Sequence, residues 1–174
     1  MSVETTRADG AYAGYAAPSE RPPFGSYATL TALFNGAMAV GLAAAKRRGR
    51  ELPERIQPGD ILLTGVATHK LSRLISKDKI TAFARAPFTE FEEPGGPAEV
   101  EERARGEGWR RTLGELLICP YCIGMWISGG FNLGLVVAPR ETRFAASVLT
   151  GLTISDFLQI AYKAAEEKGL GNET

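Results

Sequence analysis

LLICPYCIGMWISGGFNLGLVVA fills residues 116–138 without a single Asp, Glu, Lys or Arg. An uncharged run of this length meets the roughly 20 residues an α-helix needs to cross the hydrocarbon core of a bilayer. Outward from it, the connector Pro139-Arg140-Glu141-Thr142-Arg143 leads into residues 144–162, whose one charge is Asp156. The two stretches read together as a transmembrane helical hairpin over residues 116–163. On the other side, residues 24–45 also lack all four charged residue types and end abruptly on Lys46, Arg47, Arg48 and Arg50. A secretory signal carries its positive charge before the apolar run. Residues 24–45 therefore read as an uncleaved transmembrane anchor.

The remaining composition narrows the function classes. A chain of 174 residues has room for one ordinary core. Lys plus Arg and Asp plus Glu number 20 each, which leaves no net cationic field to hold nucleic acid. Two cysteines and one histidine can neither build a disulfide scaffold nor fill a four-ligand zinc site within the chain. No nucleic acid, metal or cofactor is expected. Residues 1–23 mix Gly, Ala, Pro and Ser and read as a disordered tail, with residues 164–174 as a C-terminal tail.

A soluble bundle would also accept helices rich in Ala, Gly, Ser and Thr. Against it, apolar residues surround each long window and leave little polar face for water. Small residues recur at four-residue spacing in Ala32/Gly36, Gly130/Gly134 and Ser147/Gly151/Ser155, as in helices that approach closely in lipid. Lys and Arg are retained on the cytoplasmic side. Lys46 to Arg50, together with Arg103, Arg105, Arg110 and Arg111, then place residues 46–115 inside, the N-terminus outside and the C-terminus in the cytoplasm of a bacterial cell. Arg140 and Arg143 in the outer connector oppose this slightly.

Within that cytoplasmic segment, Pro58-Gly59-Asp60 opens a helix over residues 61–76. Leu63, Val66, Ala67, Leu71, Leu74 and Ile75 recur along it at helical spacing. An amphipathic helix edged by His69, Lys70 and Arg73 can lie at the bilayer interface and meet anionic head groups, or it can pack on the other helices. Lys46, Arg47, Arg48, Arg50, Lys70 and Arg73 form the expected membrane-surface set. Residues 84–111 read as a turn followed by a solvated, mixed-charge helix or loop. Thr112-Leu113-Gly114-Glu115 fits a capping box that would start the next helix.

Three residues carry the candidate chemistry: Cys119, Cys122 and Asp156. Pro120 must kink the helix near Leu116 or break it at Cys119. Cys119-Pro120-Tyr121-Cys122 matches the dithiol motif of glutaredoxins, although the apolar helix that follows is foreign to that fold. In a reducing cytoplasm the dithiol form is expected to predominate. A carboxylate among apolar residues is costly unless paired. A hairpin turning at residues 139–143 would set Asp156 level with Trp126 and within reach of Cys122, Ser155, Gln159 and Asn132. The bland alternative is a hydrogen-bond knot of Asp156 with Ser155, Thr153, Ser128 or Asn132.

Several segments in one order carry a family resemblance: Ala67-Thr68-His69-Lys70-Leu71-Ser72-Arg73-Leu74-Ile75, Arg85-Ala86-Pro87-Phe88-Thr89, residues 114–122, Ala138-Pro139-Arg140 and Ser155-Asp156-Phe157-Leu158. Together they resemble the bacterial membrane-protein family called domain of unknown function 1360, over about residues 60–162. Some of its members carry a sporulation label, which implies a bacterial setting and no particular reaction.

The expectation is an all-α, small helical membrane protein with two or three transmembrane helices and an amphipathic interfacial helix. Its partners would be the lipid bilayer, a membrane or cytoplasmic protein, and further copies of itself. A structural or adaptor role with a cytoplasmic docking loop leads. The alternatives are a membrane thiol-disulfide redox protein using Cys119, Cys122 and Asp156, and a lipid- or ion-handling protein with its site at Asp156.

Overall fold

The computed structural model describes residues 14–16 and 22–170, so most of the tail expected over residues 1–23 lies outside the described residues. Helix α1 covers Phe24–Arg47 and α2 covers Pro58–Ser76. A 3-10 turn, Lys79–Thr81, leads into the four-residue α3, Ala82–Arg85. Strands β1, Thr89–Pro94, and β2, Val100–Ala104, precede α4, Gly108–Ile118. Helices α5, Pro120–Val137, and α6, Pro139–Leu170, complete the chain. The fold is mostly helical, and α1, α5 and α6 are each long and apolar enough to cross a membrane.

Local sequence explains the helix boundaries. Proline opens α2, α5 and α6, where its missing N–H costs nothing and its fixed φ suits the first turn. Gly49, at φ 71°, ends α1 in a left-handed turn. There Arg50 N–H donates to Ala45 O and Gly49 N–H to Lys46 O, both at 3.0 Å, which caps the last carbonyls. Of the two readings of Pro120, the break is the one observed: Cys119 is extended, at φ −100° and ψ 102°, between α4 and α5. The capping box at Thr112 is not formed. Helix α4 already begins at Gly108, and the buried Thr112 hydroxyl donates back to Gly108 O at 3.0 Å.

Helix α2 lies against both α5 and α6. Asp60 pairs with Arg143 at 2.7 Å, the Thr150 hydroxyl donates to Leu63 O at 3.1 Å, and Lys70 pairs with Asp156 at 2.8 Å. These contacts advance together along both helices, so α2 and α6 run in the same direction. Helix α1 runs parallel to α5 in the same way. The Tyr27 phenol donates to Glu115 at 2.6 Å, just before α5. Phe34 meets Trp126 edge-on with ring centroids 5.4 Å apart, and Gly41 faces Leu133.

The face that α2 buries consists of Thr64, Ala67, Ser72 and Ser76. The hydroxyls donate to carbonyls of their own helix, Thr64 to Asp60, Ser72 to His69 and Ser76 to Ser72, so they enter the interface without unmet donors. Small side chains then let the helices approach. Of the glycines expected by spacing, Gly134 does mediate a close approach, since a Cβ there would stand 2.6 Å from the Thr142 hydroxyl, but the others do not. A Cβ on Gly36, Gly130 or Gly151 would meet nothing within 4 Å, whereas one on Gly129 would stand 2.8 Å from the Phe34 ring.

Two parts of the sequence reading change. Residues 89–104 form an antiparallel hairpin, not a solvated helix or loop, with Thr89 opposite Ala104, Glu90 opposite Arg103 and an irregularity between Phe91 and Glu93. The basic clusters that were assigned to one side of the membrane also stand at opposite ends of the bundle. Parallel α1 and α5 carry Lys46 to Arg50 toward the α5–α6 connector, while Arg103 to Arg111 precede α4 at the other end.

Candidate functional site: the headpiece end of the bundle

The last four carbonyls of a helix have no partner within it. The headpiece, residues 77–107, supplies partners for the end of α2. Arg73 O accepts from Lys77 N–H at 2.7 Å, Leu74 O accepts from the Thr81 hydroxyl, and Ile75 O accepts from the Arg85 guanidinium at 2.7 Å. Beyond the helix, Lys77 O accepts from Val100 N–H and Lys79 N–H donates to Ala98 O, each at 2.9 Å. The hairpin is therefore stitched to the helix end by its backbone.

Arg85 is the centre of this unit. Its side chain is 1 % exposed and that of its partner Glu102 is 6 % exposed. Nε donates to Glu102 at 2.5 Å, Nη1 to Ile75 O and the Thr81 hydroxyl at 2.7 Å each, and Nη2 to Asp78 O at 3.2 Å. The second Glu102 oxygen accepts from the Thr89 hydroxyl at 3.1 Å. Such a buried pair persists only when its remaining polar atoms are met, and here each guanidinium nitrogen and both carboxylate oxygens have a partner.

Further ion pairs surround this centre. Arg73 holds Glu99 through three hydrogen bonds of 2.5 to 3.0 Å, and Lys77 holds Glu101 at 2.6 Å. The outward face is charged and open: Arg103 pairs with Glu90 at 2.8 Å while its side chain remains 65 % exposed. At the foot of the headpiece, Glu115 accepts from both Tyr27 and Arg111, and its carboxylate raises the Arg111 guanidinium above its ordinary range.

At the same end, Cys119 and Cys122 are joined as a disulfide with a Cα–Cα separation of 5.2 Å, where the dithiol form was expected. Cys119 is the N-cap of α5, and its sulfur accepts the Cys122 N–H at 3.2 Å. Asp156 does not join this pair. Its partner is Lys70, which also stands 4.0 Å from Asp78. Nor does the expected knot form: Thr153 donates to Leu149 O, Asn132 to Ser128 O and Gln159 to Ser155. Among the described residues, no cluster of His, Cys, Asp and Glu is arranged to hold a metal ion.

The expected membrane-surface residues divide between the two ends of the bundle. Lys46, Arg47, Arg48 and Arg50 close α1 at the connector end, whereas Lys70 and Arg73 belong to the headpiece end and are engaged by Asp156 and Glu99. Sequence reasoning missed Arg85 and Glu102. The available signal was Arg85 itself, an arginine directly after the apolar stretch Ala82-Phe83-Ala84 and two residues before Pro87.

Residues 63–162 match the family described as Protein of unknown function (DUF1360). The chain belongs to this family. The matched DUF1360 region begins in α2 and ends in α6, so it contains the whole headpiece, the disulfide and the Lys70–Asp156 pair, and it excludes α1. The chain is also 34% identical over 92 residues to the Sporulation protein YjcA of Bacillus subtilis (strain 168), an alignment covering 51% of this chain and 78% of that protein. No solved structure matches.

Proposed function

We propose that this DUF1360 protein is a structural or adaptor protein of the bacterial cell membrane, a helical bundle that holds a rigid headpiece at one membrane face for a protein partner to dock on. The observation that carries this reading is the ordered headpiece. A unit whose centre is the buried, multiply hydrogen-bonded Arg85–Glu102 pair presents one fixed arrangement of exposed charge, including Arg103, Arg105, Glu90 and Glu92. In this reading α2, less apolar than α1, α5 and α6, also crosses the membrane, packed on α5 and α6, since its 19 residues run along α6 from Asp60 at the connector end to Lys70 at the headpiece end. Four crossings put both ends of the described chain on the headpiece side, in place of the opposite sides expected from three. The sporulation label of the relative suggests a partner in that process.

Photocrosslinking in living cells tests the docking reading. A crosslinker at Arg103 or Arg105 is expected to give a discrete protein adduct, while one at Val40, on the outward face of α1, gives none. Headpiece positions that yield no protein adduct while the chain accumulates normally in the membrane contradict it.

A further inference from the structure

We infer that the Cys119–Cys122 bridge is a site of thiol–disulfide exchange with thiol-bearing partners and not a brace of the fold. A structural disulfide gains its effect by tying together parts of the chain that would otherwise separate, and that effect grows with the loop it closes. This bridge has a sequence separation of 3 and links no two packed elements. The backbone it spans is already held, because Pro120 fixes the first helical residue and Cys122 and Ile123 both donate N–H to Cys119 O at 3.1 Å. The headpiece next to it is fastened by ion pairs and backbone bonds that do not involve either cysteine.

Two further observations bear on exchange. Cys122 is exposed and the neighbouring Tyr121 is 91% exposed, so no other part of the chain covers the approach of an incoming sulfur at this end of α5. The Cys119 sulfur, in contrast, lies at the N-terminus of an 18-residue helix and accepts the Cys122 N–H at 3.2 Å. Helix N-termini favour negative charge, which makes Cys119 the sulfur suited to leave as thiolate.

The step follows from this asymmetry. A partner thiolate attacks the Cys122 sulfur, a new sulfur–sulfur bond forms there, and the Cys119–Cys122 bond breaks with its electron pair passing to Cys119, which then takes up a proton. A second thiolate of the partner attacks the partner's own sulfur in the mixed disulfide and releases Cys122, which is protonated in turn. The partner dithiol loses two electrons and two protons and becomes a disulfide, while Cys119 and Cys122 become thiols. The reverse sequence reduces a partner disulfide. Lys70 and Asp156, bound to each other, take no part.

The test uses the full chain in detergent micelles equilibrated with mixtures of reduced and oxidised glutathione, then acid-quenched, alkylated and weighed intact. The bridge is expected to pass from mostly disulfide to mostly dithiol across the mixtures with unchanged helix content. Cys119→Ser should retain one glutathione on Cys122, and Cys122→Ser should retain at least about tenfold less on Cys119, as expected when access selects the attacked sulfur. A bridge that survives fully reduced glutathione in the folded protein overturns the inference. So does reduction, or the double Cys→Ser change, that unfolds the bundle. Equal capture by the two single variants overturns the assigned order of attack. Replacing glutathione by a dithiol peptide distinguishes a protein partner from a small thiol by which one exchanges faster.

Discussion

Arg85→Met is expected to destabilise the headpiece by about 3–5 kcal/mol, the range for breaking a buried pair by removing one partner. The side chain of Glu102, 6 % exposed, would retain its charge with only the Thr89 hydroxyl to meet it, and Ile75 O would lose the guanidinium donor. Amide hydrogen exchange over residues 89–104 is the appropriate readout, and it should accelerate roughly a hundredfold to several thousandfold. The double change Arg85→Met with Glu102→Leu should recover much of the loss, since a buried pair replaced by apolar side chains is often neutral. Arg85→Lys should resemble Arg85→Met, because one ammonium cannot reach four acceptors set around a planar fork. Exchange rates unchanged in Arg85→Met would mean that the knot does not hold the hairpin.

The second large effect is expected at Gly114. Helix α4 lies on β2 so closely that a Cβ there would collide with Phe88 O and stand 3.0 Å from the Ala104 Cβ and 3.1 Å from its Cα. None of these atoms can rotate away, and Phe88 O is fixed further by the Arg105 N–H at 2.9 Å. Gly114→Ala should therefore cost about 1–3 kcal/mol by overpacking, despite the roughly 1 kcal/mol that alanine gains over glycine within a helix. Gly130→Ala is the matched control. A Cβ there meets nothing within 4 Å, and when both variants are unfolded with denaturant in detergent micelles Gly130→Ala should be neutral or slightly more stable than the parent chain. Equal behaviour of the two variants would contradict the close contact of α4 with β2.

What the sequence revealed and what it hid follow from the range of the interactions. Charge-free windows are local signals and mark α1, α5 and α6, whereas Pro120 alone leaves a kink near Leu116 and a break at Cys119 equally open. The small-residue spacing was local too, yet it chose Gly130 over Gly129, because spacing along one helix does not say which face meets a neighbour. The hairpin was hidden because glutamate and other charged residues outnumber Thr89, Phe91 and Val100, the only β-branched or aromatic residues in its two strands. Its glutamates are held instead by partners 26, 24 and 17 residues away, at Arg73, Lys77 and Arg85.

Helix direction was hidden for a similar reason. Counting basic residues near span ends treats each charge as independent, whereas the arrangement is reported by pairs such as Asp60 with Arg143, 83 residues apart. The same holds for Asp156. Its isolation in an apolar stretch was visible, but its partner lies on a helix whose place in the bundle no local pattern specified.

Side-specific labelling tests the central claim most directly. Single cysteines placed at Arg48, Gly96 and Arg140 in a chain with Cys119 and Cys122 changed to serine would be exposed to a membrane-impermeant maleimide in sealed vesicles of one orientation. The account predicts that Arg48 and Arg140 label together and Gly96 labels only from the opposite side. Labelling of Arg48 and Gly96 from the same side, or of all three from both sides, would contradict a bundle that crosses the membrane with its headpiece at one end.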